Sequence, residues 1–416
     1  MIQTTTSVKN GFGNLSIAPK LLQVLDNLKF TTPTPIQNQA IPFALSGRDI
    51  IGIAQTGTGK TLAFGLPMIQ RLGQEKGQGL ILLPTRELAL QVDEVLQKIG
   101  GRFGLKTAVL IGGAPMQKQI NSISRKPHII IATPGRLNDH MERRTISLQN
   151  INILVLDEAD RMFDIGFAPQ IKKIILAIPK KRQTMLFSAT MSKDIIDMVG
   201  QHLQNPKRIE VSPQGTPAGK IDQEVFIANT EIKLQLLEKV LSDNSGSVLL
   251  FSRTKHGAKK ITRAVQSMGH TAAEIHSNRS LNQRKEALSG FKNGAYRVLV
   301  ATDIAARGID VIGISLVINY DLPDQLENYV HRIGRTGRAN KAGKAISFAA
   351  PNQRKDIKQI ERLIRTNITI SELPLLPPKR MVQSKNNHQR NFGRRDFARN
   401  ANQNNFQRKR FQKTAW

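Results

Sequence analysis

The chain has 416 residues, 39% of them hydrophobic, with 61 lysines and arginines against 31 acids and no cysteine. A net charge of +30 points to a polyanionic partner, nucleic acid first, and the missing cysteines exclude disulfides and thiolate metal sites and suit a reducing compartment. The opening "MIQTTTSVKNGFGNLS" lacks the apolar core of a signal peptide and no apolar run reaches the length of a membrane span, so a soluble, cytoplasmic chain with no membrane partner is expected.

The length suits two ordinary domains with extra segments. The first strong signal is "IIGIAQTGTGKT", Ile50 to Thr61, a strand running into a glycine-bearing loop. Gly57 and Gly59 let backbone N–H groups turn toward an anion. Lys60 can reach β- and γ-phosphates, and the Thr61 hydroxyl can ligate Mg²⁺. The strict phosphate-loop pattern has glycine where this chain has Ala54.

Short apolar runs follow, each ending in a polar turn: "GLILLPTR", "PHIIIATPGR", "INILVLDEAD" and "QTMLFSAT". Such runs predict strands buried on both faces, and helix-like stretches such as "ELALQVDEVLQKIG" between them make this a parallel α/β sheet. "ILVLDEAD" ends in acids. Asp157 is placed to hold Mg²⁺ through water, and Glu158 to orient or deprotonate an attacking water. In a parallel sheet both this strand end and the glycine loop lie at the carboxyl edge, where ligands bind.

The pattern then restarts. "GSVLLFSRTKHGAKKITRAVQSMG" is built like "QGLILLPTRELALQVDEVLQKIG", and "SLVINYDLP" matches "ILVLDEAD". Thr85 and Thr133 stand 48 positions apart, as do Thr254 and Thr302, by subtraction of their numbers. Two similar α/β domains in tandem are expected. Between them, "NPKRIEVSPQGTPAGK" (Asn205 to Lys220) is rich in Pro, Gly and polar residues and reads as a flexible joint. The second half has no glycine–lysine pair in its early segment, so it is expected to complete the first site across a cleft and not to bind a nucleotide alone. "GKAISFAA" is its last regular strand, a basic helix follows, and "SELPLLPPKR" closes the domain. From Lys379 onward eleven basic residues accompany one acid, Asp396. Aliphatic residues are too few there for a core, so a disordered tail is expected. Its Phe392, Phe397, Phe406, Phe411 and Trp416 suit base stacking beside the cations.

Together these motifs resemble the DEAD-box RNA helicases of superfamily two, over roughly Phe12 to Ala350. The resemblance is greatest to bacterial members with a short core and a basic C-terminal extension. It implies two tandem RecA-like domains with parallel sheets and a flexible linker. The N-terminal ATP-binding domain would span 1–208 with an adenine motif at 10–38. The linker would be 209–220, the C-terminal domain 221–378, and a basic RNA-binding tail 379–416. "FTTPTPIQ" is similar to the adenine motif, in which Gln37 would bond the adenine edge and Phe30 would stack, with Phe12 at the upstream aromatic position. Lys29 stands where the family has glycine. The phosphate loop would comprise Ala54, Gln55, Thr56, Gly57, Thr58, Gly59, Lys60 and Thr61. Pro84, Thr85, Arg86, Gly113, Thr133 and Arg136 match first-domain RNA motifs, and Arg253, Thr302 and Arg307 second-domain ones. Asp310 would contact the ribose, and Leu281 replaces a glutamine in "SLNQR", where Arg284 keeps its place. Ser188 and Thr190 would couple hydrolysis to strand separation.

"HRIGRTGR" (His331 to Arg338) resembles the arginine-finger motif. Arg335 and Arg338 would face the γ-phosphate, while His331 and Arg332 would link the domains. Guanidinium suits the charge that develops in phosphoryl transfer. The implied activity is RNA-stimulated hydrolysis of Mg²⁺-ATP driving local unwinding of short, little-specified RNA duplexes or RNA–protein remodelling, in ribosome assembly on ribosomal precursors or in RNA turnover with its decay machinery. A DNA helicase or translocase of related fold and a non-enzymatic RNA chaperone are the alternatives.

Overall fold

The apolar runs form strands because both of their faces are covered. In the computed structural model, which describes residues 11–55, 57–211, 221–306, 311, 313–337 and 343–378, the first half contains seven strands: β1 (Ile50–Ile53), β2 (Gln78–Leu82), β3 (Thr107–Leu110), β4 (Ile129–Ala132), β5 (Ile151–Leu156), β6 (Gln183–Ser188) and β7 (Lys207–Glu210). The second half contains β8 (Ile221–Ile227), β9 (Val248–Phe251), β10 (Ala272–Ile275), β11 (Val298–Ala301), β12 (Leu316–Asn319), β13 (Gly343–Ala349) and β14 (Thr369–Ser371). The strands of "PHIIIATPGR" and "QTMLFSAT" are buried along their whole length, as fits strands with helices on both faces.

Both sheets are parallel throughout. The first runs β3-β4-β2-β5-β6-β1-β7 and the second β10-β11-β9-β12-β13-β8-β14. Adding seven to each label of the first order gives the second, so the duplication read from turn spacing holds for every strand. The matched threonines follow the equivalent strands. Thr85 after β2 accepts a bond from the Leu88 N–H at 3.3 Å, and Thr254 after β9 accepts from the Gly257 N–H at 2.9 Å, each capping the helix it opens. Thr133 opens the helix Pro134–Glu142 after β4, and Thr302 receives the Ala305 and Ala306 N–H groups after β11.

The expected helix in "ELALQVDEVLQKIG" spans Arg86–Gly100 and buries Leu88, Ala89, Val92, Leu96 and Ile99, one face at helical spacing. Each sheet carries an apolar cluster on either side, and both sheets belong to one compact unit that ends at Pro378.

β7 pairs with β1 as far as Glu210, opposite Ile53, so the first sheet reaches two residues into the stretch read as linker. Residues 212–220 of that stretch, and the tail 379–416, lie outside the described residues. β14, which pairs with β8, carries no apolar run, and its first two residues are exposed. Among the described residues no helix is long and apolar enough to cross a membrane.

Candidate ATP and RNA site

The glycine loop leads from β1 into the helix Lys60–Leu72 and is shaped by two left-handed residues, Gly57 (φ +86°) and Gly59 (φ +92°). A side chain at Gly59 would be strained by its φ and would collide with the Gln37 amide. Gln37 explains that crowding. Its Oε1 accepts from the Thr34 N–H at 2.9 Å in a capping box, and its Nε2 donates to the Gly59 carbonyl at 3.0 Å. Gln37 is thus the strut between the adenine-like motif and the phosphate loop. The Thr58 hydroxyl closes the loop by donating to the Gln55 carbonyl at 2.7 Å. The Lys60 ammonium is buried, donates to the Ala54 carbonyl at 2.9 Å and stands 3.8 Å from Asp157 Oδ1. Thr61 is the second residue of the helix, beside the loop. Thr56 lies outside the described residues.

Asp157 ends the run begun by β5 and is fully enclosed. Burial pushes its carboxyl up to about 6, while Lys60 pulls the other way. Glu158 follows in a left-handed conformation (φ +52°, ψ +50°) that a non-glycine residue adopts at a cost of about 1–3 kcal/mol. That turn carries the chain from strand to the helix Ala159–Asp164. Asp160 then gathers the loop after β6. Its Oδ2 accepts from the Ala189 and Thr190 N–H groups at 3.1 and 2.9 Å and from the Thr190 hydroxyl at 3.1 Å, and its own N–H donates to Ser188 Oγ at 3.1 Å. Ser188, Ala189 and Thr190 are therefore bound to the acidic motif by four hydrogen bonds through one residue.

Arg161, absent from the sequence-based site, completes the group. Its Nη1 donates to Glu158 Oε2 at 2.7 Å and its Nη2 lies 3.3 Å from His331 Nδ1, on the second half. The guanidinium is 2% exposed. His331 is held far below its ordinary range, to about 3, first by burial and then by the Arg161 charge, so its ring is neutral. Arg335 is also enclosed, at 2% exposure, with its Nε donating to the His331 carbonyl at 3.3 Å, and it faces Arg161 and Arg332 around a void of about 10 Å³.

A second site lies where the two halves meet over the turns after β2, β3 and β4. A cleft of about 400 Å³ is lined by Pro84, Thr85, Arg86, Thr133 and Arg136 from the first half and by Ser277 and Arg284 from the second. The Arg86 guanidinium covers Gly112 and Gly113, and any side chain at Gly113 (φ +77°) would displace it. Arg136 Nη1 donates to the Ala114 carbonyl at 3.1 Å. Arg284 Nη2 donates to Glu87 Oε2 at 2.8 Å, a buried ion pair that crosses between the halves. Burial pulls Arg284 below its ordinary value despite that partner. Arg253 is half exposed, with its N–H on Asp321 Oδ2 at 3.0 Å and its Nε 3.2 Å from Asp324.

Two expectations need correcting. Phe12 is 0% exposed and packs in the first apolar cluster with Leu15, Ile36 and Phe64, so its ring presents no face to a ligand; Phe30, at 40% exposure, does. Among the described residues Arg332 makes no hydrogen bond or ion pair between the halves. Its Nε and Nη2 grip Asp303 at 2.6 and 2.7 Å and its Nη1 reaches Asn319 and the Asp321 carbonyl, all within the second half. Arg307, Asp310 and Arg338 lie outside the described residues. The missed residues, Glu87 and Arg161, each sit next to or inside a motif that was read. Only Arg161 carried a usable signal, a cation three residues after Glu158 where a helix turn returns it to the carboxylate.

Comparison with known proteins places this geometry. The DEAD/DEAH box helicase model matches residues 34–198 and the helicase conserved C-terminal domain model matches residues 232–340. The chain is 40% identical over 381 residues to the ATP-dependent rRNA helicase RRP3 of Candida albicans, covering 91% of this chain and 71% of that protein. To the ATP-dependent RNA helicase DbpA of Bacillus subtilis it is 42% identical over 366 residues, covering 87% and 76%. Among solved structures, Saccharomyces cerevisiae Dbp5 bound to RNA and ADP BeF3 superposes with a TM-score of 0.79 at 33% identity, over 88% of this chain and 96% of that one. A family that pairs two such domains accounts for the doubled sheet order, and the chain belongs to the DEAD-box ATP-dependent RNA helicases.

Proposed function

We propose that this chain hydrolyses ATP at a site completed by both halves and uses the cycle to separate short RNA duplexes or remodel RNA–protein complexes. The observation that carries this reading is Arg161, which joins the acid beside the phosphate loop to a histidine of the second half.

The loop residues Ala54 to Thr61 cradle the phosphates on backbone N–H groups, with Lys60 turning from the Ala54 carbonyl to the β- and γ-phosphates. Gln37 keeps one amide hydrogen on Gly59, which leaves its second for the adenine edge, and Phe30 stacks on the ring. Among the described residues no group of three His, Cys, Asp or Glu side chains could hold a metal by itself. Asp157, through water, and the Thr61 hydroxyl would instead hold Mg²⁺, which would supply charge neutralisation at the β- and γ-phosphates. Glu158, oriented by Arg161, accepts the proton of the attacking water while the bond from the γ-phosphorus to the bridging oxygen breaks. Arg335 and Arg338 stabilise the charge developing on the transferred phosphoryl group. Asp310 would contact the ribose.

The second cleft would hold one RNA strand by its phosphates and sugars through Thr85, Arg86, Gly113, Thr133 and Arg136, with Arg253, Thr302 and Arg307 from the second half. Backbone contacts of this kind carry little sequence information. Asp160, with Ser188 and Thr190, would pass the state of the nucleotide to that cleft. Domain bounds near 208–220 and an RNA-binding tail from Lys379 belong to the same reading, as do a cytoplasmic setting and work on ribosomal precursors, which RRP3's name as an rRNA helicase supports. The test is ATPase stimulation by matched RNA and single-stranded DNA. Stimulation by RNA alone is expected, and equal stimulation by both would overturn the RNA assignment.

A further inference from the structure

The helix Lys255–Ser267 opens directly after the Arg253–Thr254 turn and has a face that none of the above uses. It carries Lys255, His256, Lys259, Lys260 and Arg263, all exposed, and no acid. Ala258, Ile261, Thr262, Ala264 and Val265 are buried on its other side, so the cations share one face. Lys255, Lys259 and Arg263 recur every four residues and form a row about 12 Å long at 1.5 Å per residue.

A row of cations on a helix is most often a solvated face laced with acids. Three other helices among the described residues show this: Lys98 pairs with Glu94, Arg143 with Asp139 and Lys239 with Asp243, each four residues apart. The helix Lys255–Ser267 departs from this pattern, since it holds no carboxylate to pair with. The row is also continuous with the cleft. Lys255 Nζ donates to Asn278 Oδ1 at 3.2 Å, and the neighbouring Ser277 lines the cleft with Thr85, Arg86 and Arg284. Five charged or chargeable side chains thus lead away from the cleft mouth along one helix, whose N-terminal end adds its own positive pole.

We propose that this face is a second RNA-binding surface, which takes the phosphate backbone of RNA that extends beyond the strand held in the cleft. A row of about 12 Å spans roughly three phosphates of one strand. The proposal rests on the reading of the cleft as the RNA site. Contacts here are to phosphate only, so they add affinity and salt dependence without sequence preference.

The test is the triple variant Lys259→Gln, Lys260→Gln, Arg263→Gln in the full chain, with substitutions confined to exposed positions and to a good helix former. Binding is measured against salt for three RNAs: a strand just long enough to fill the cleft, the same strand with a single-stranded extension, and the same strand with a duplex arm. The variant is expected to lose about tenfold in affinity for an extended RNA. Its plot of log affinity against log salt should be flatter by about two, as three fewer counterions are released per complex. The short strand should show neither change. Whichever extended RNA carries the effect identifies single strand or duplex as the occupant. Equal affinity and equal slope for variant and unsubstituted chain on both extended RNAs would sink the proposal. If the unsubstituted chain fails to bind even the short strand, it is the cleft reading that falls.

Discussion

Arg161 holds Glu158 Oε2 at 2.7 Å with one guanidinium nitrogen and meets His331 Nδ1 at 3.3 Å with the other. One side chain thus joins the acid of the first half to the helix Glu327–Ile333 of the second, which carries His331 and Arg332. The neutral His331 ring accepts from it, since burial holds that imidazole down to about 3. Lysine has no second nitrogen to span both partners. Arg161→Lys is therefore expected to retain the ion pair with Glu158 but lose the tie across the halves, lowering RNA-stimulated turnover on the order of 10²-fold, within the range for loss of a positioned acid–base group. His331→Ala should add little on top of it. A double-mutant cycle on stimulated turnover checks this, and fully additive effects would show that the two residues act apart.

Lys60 and Glu158 should separate binding from chemistry. Lys60→Ala removes a buried ammonium from the loop and is expected to weaken nucleotide binding. Glu158→Gln keeps shape and burial, so nucleotide should bind within a few-fold while hydrolysis falls by about 10²–10⁴. Nucleotide affinity measured beside single-turnover hydrolysis distinguishes the two. Duplex unwinding that survives in either variant would favour the chaperone alternative.

Much of this was legible in the sequence because the informative residues are constrained by backbone chemistry. β2, β4, β5 and β6 are covered on both faces and read as plain apolar runs, and Gly57 and Gly59 are required by positive φ. Edge strands such as β3 and β14 are short and mixed, so no periodicity marks them. Side-chain partnerships were the least visible. Arg332 and His331 are adjacent in sequence, but one faces Asp303 within its own half and the other faces Arg161 across the cleft. Nothing in "HRIGRTGR" states which way each points. Phe12 was misplaced for the same reason, since a motif position gives no burial.

Arg335 tests the finger assignment. It is enclosed beside His331, close enough to reach across the interface and too confined to be a solvated turn. Arg335→Ala is expected to lower hydrolysis roughly 10³-fold, the lower end for an arginine finger, while ATP affinity changes only a few-fold. Arg335→Lys should recover little, because the planar fork is lost. Full turnover in Arg335→Ala would remove it from the catalytic group.

Phe12 and Gln37 should respond in opposite ways. Phe12 is fully buried, so Phe12→Ala is expected to lower stability by about 3–5 kcal/mol through the cavity it leaves. Phe12→Leu should spare most of that and leave the KM for ATP unchanged. Gln37→Ala loses the capping partner of Thr34 and the hold on Gly59. Its KM for ATP should rise severalfold with a smaller loss of stability, about 1 kcal/mol. Melting curves and ATP kinetics on the same three variants give the comparison. A KM shift in Phe12→Leu would restore the aromatic to the nucleotide site.

Asp157 is expected to make nucleotide binding a proton-linked event. Its carboxyl is pushed from an ordinary 3.8 up to about 6, mainly by burial. Between those values the unfolded chain has released this proton and the folded chain has not. Raising the pH through that window therefore lowers the group's contribution to folding stability, and the loss is complete above about 6. Binding of Mg²⁺-nucleotide as proposed would run the other way, because a cation held beside the carboxylate would favour its ionised form. Near pH 5.5 binding should thus expel a proton, and apparent affinity should fall as the pH drops below about 6. Calorimetry of Mg²⁺-ADP binding in two buffers of different ionisation enthalpy counts that proton. Asp157→Asn should release none and lose the acid-side fall. Proton release that persists in Asp157→Asn would assign the linkage to another group.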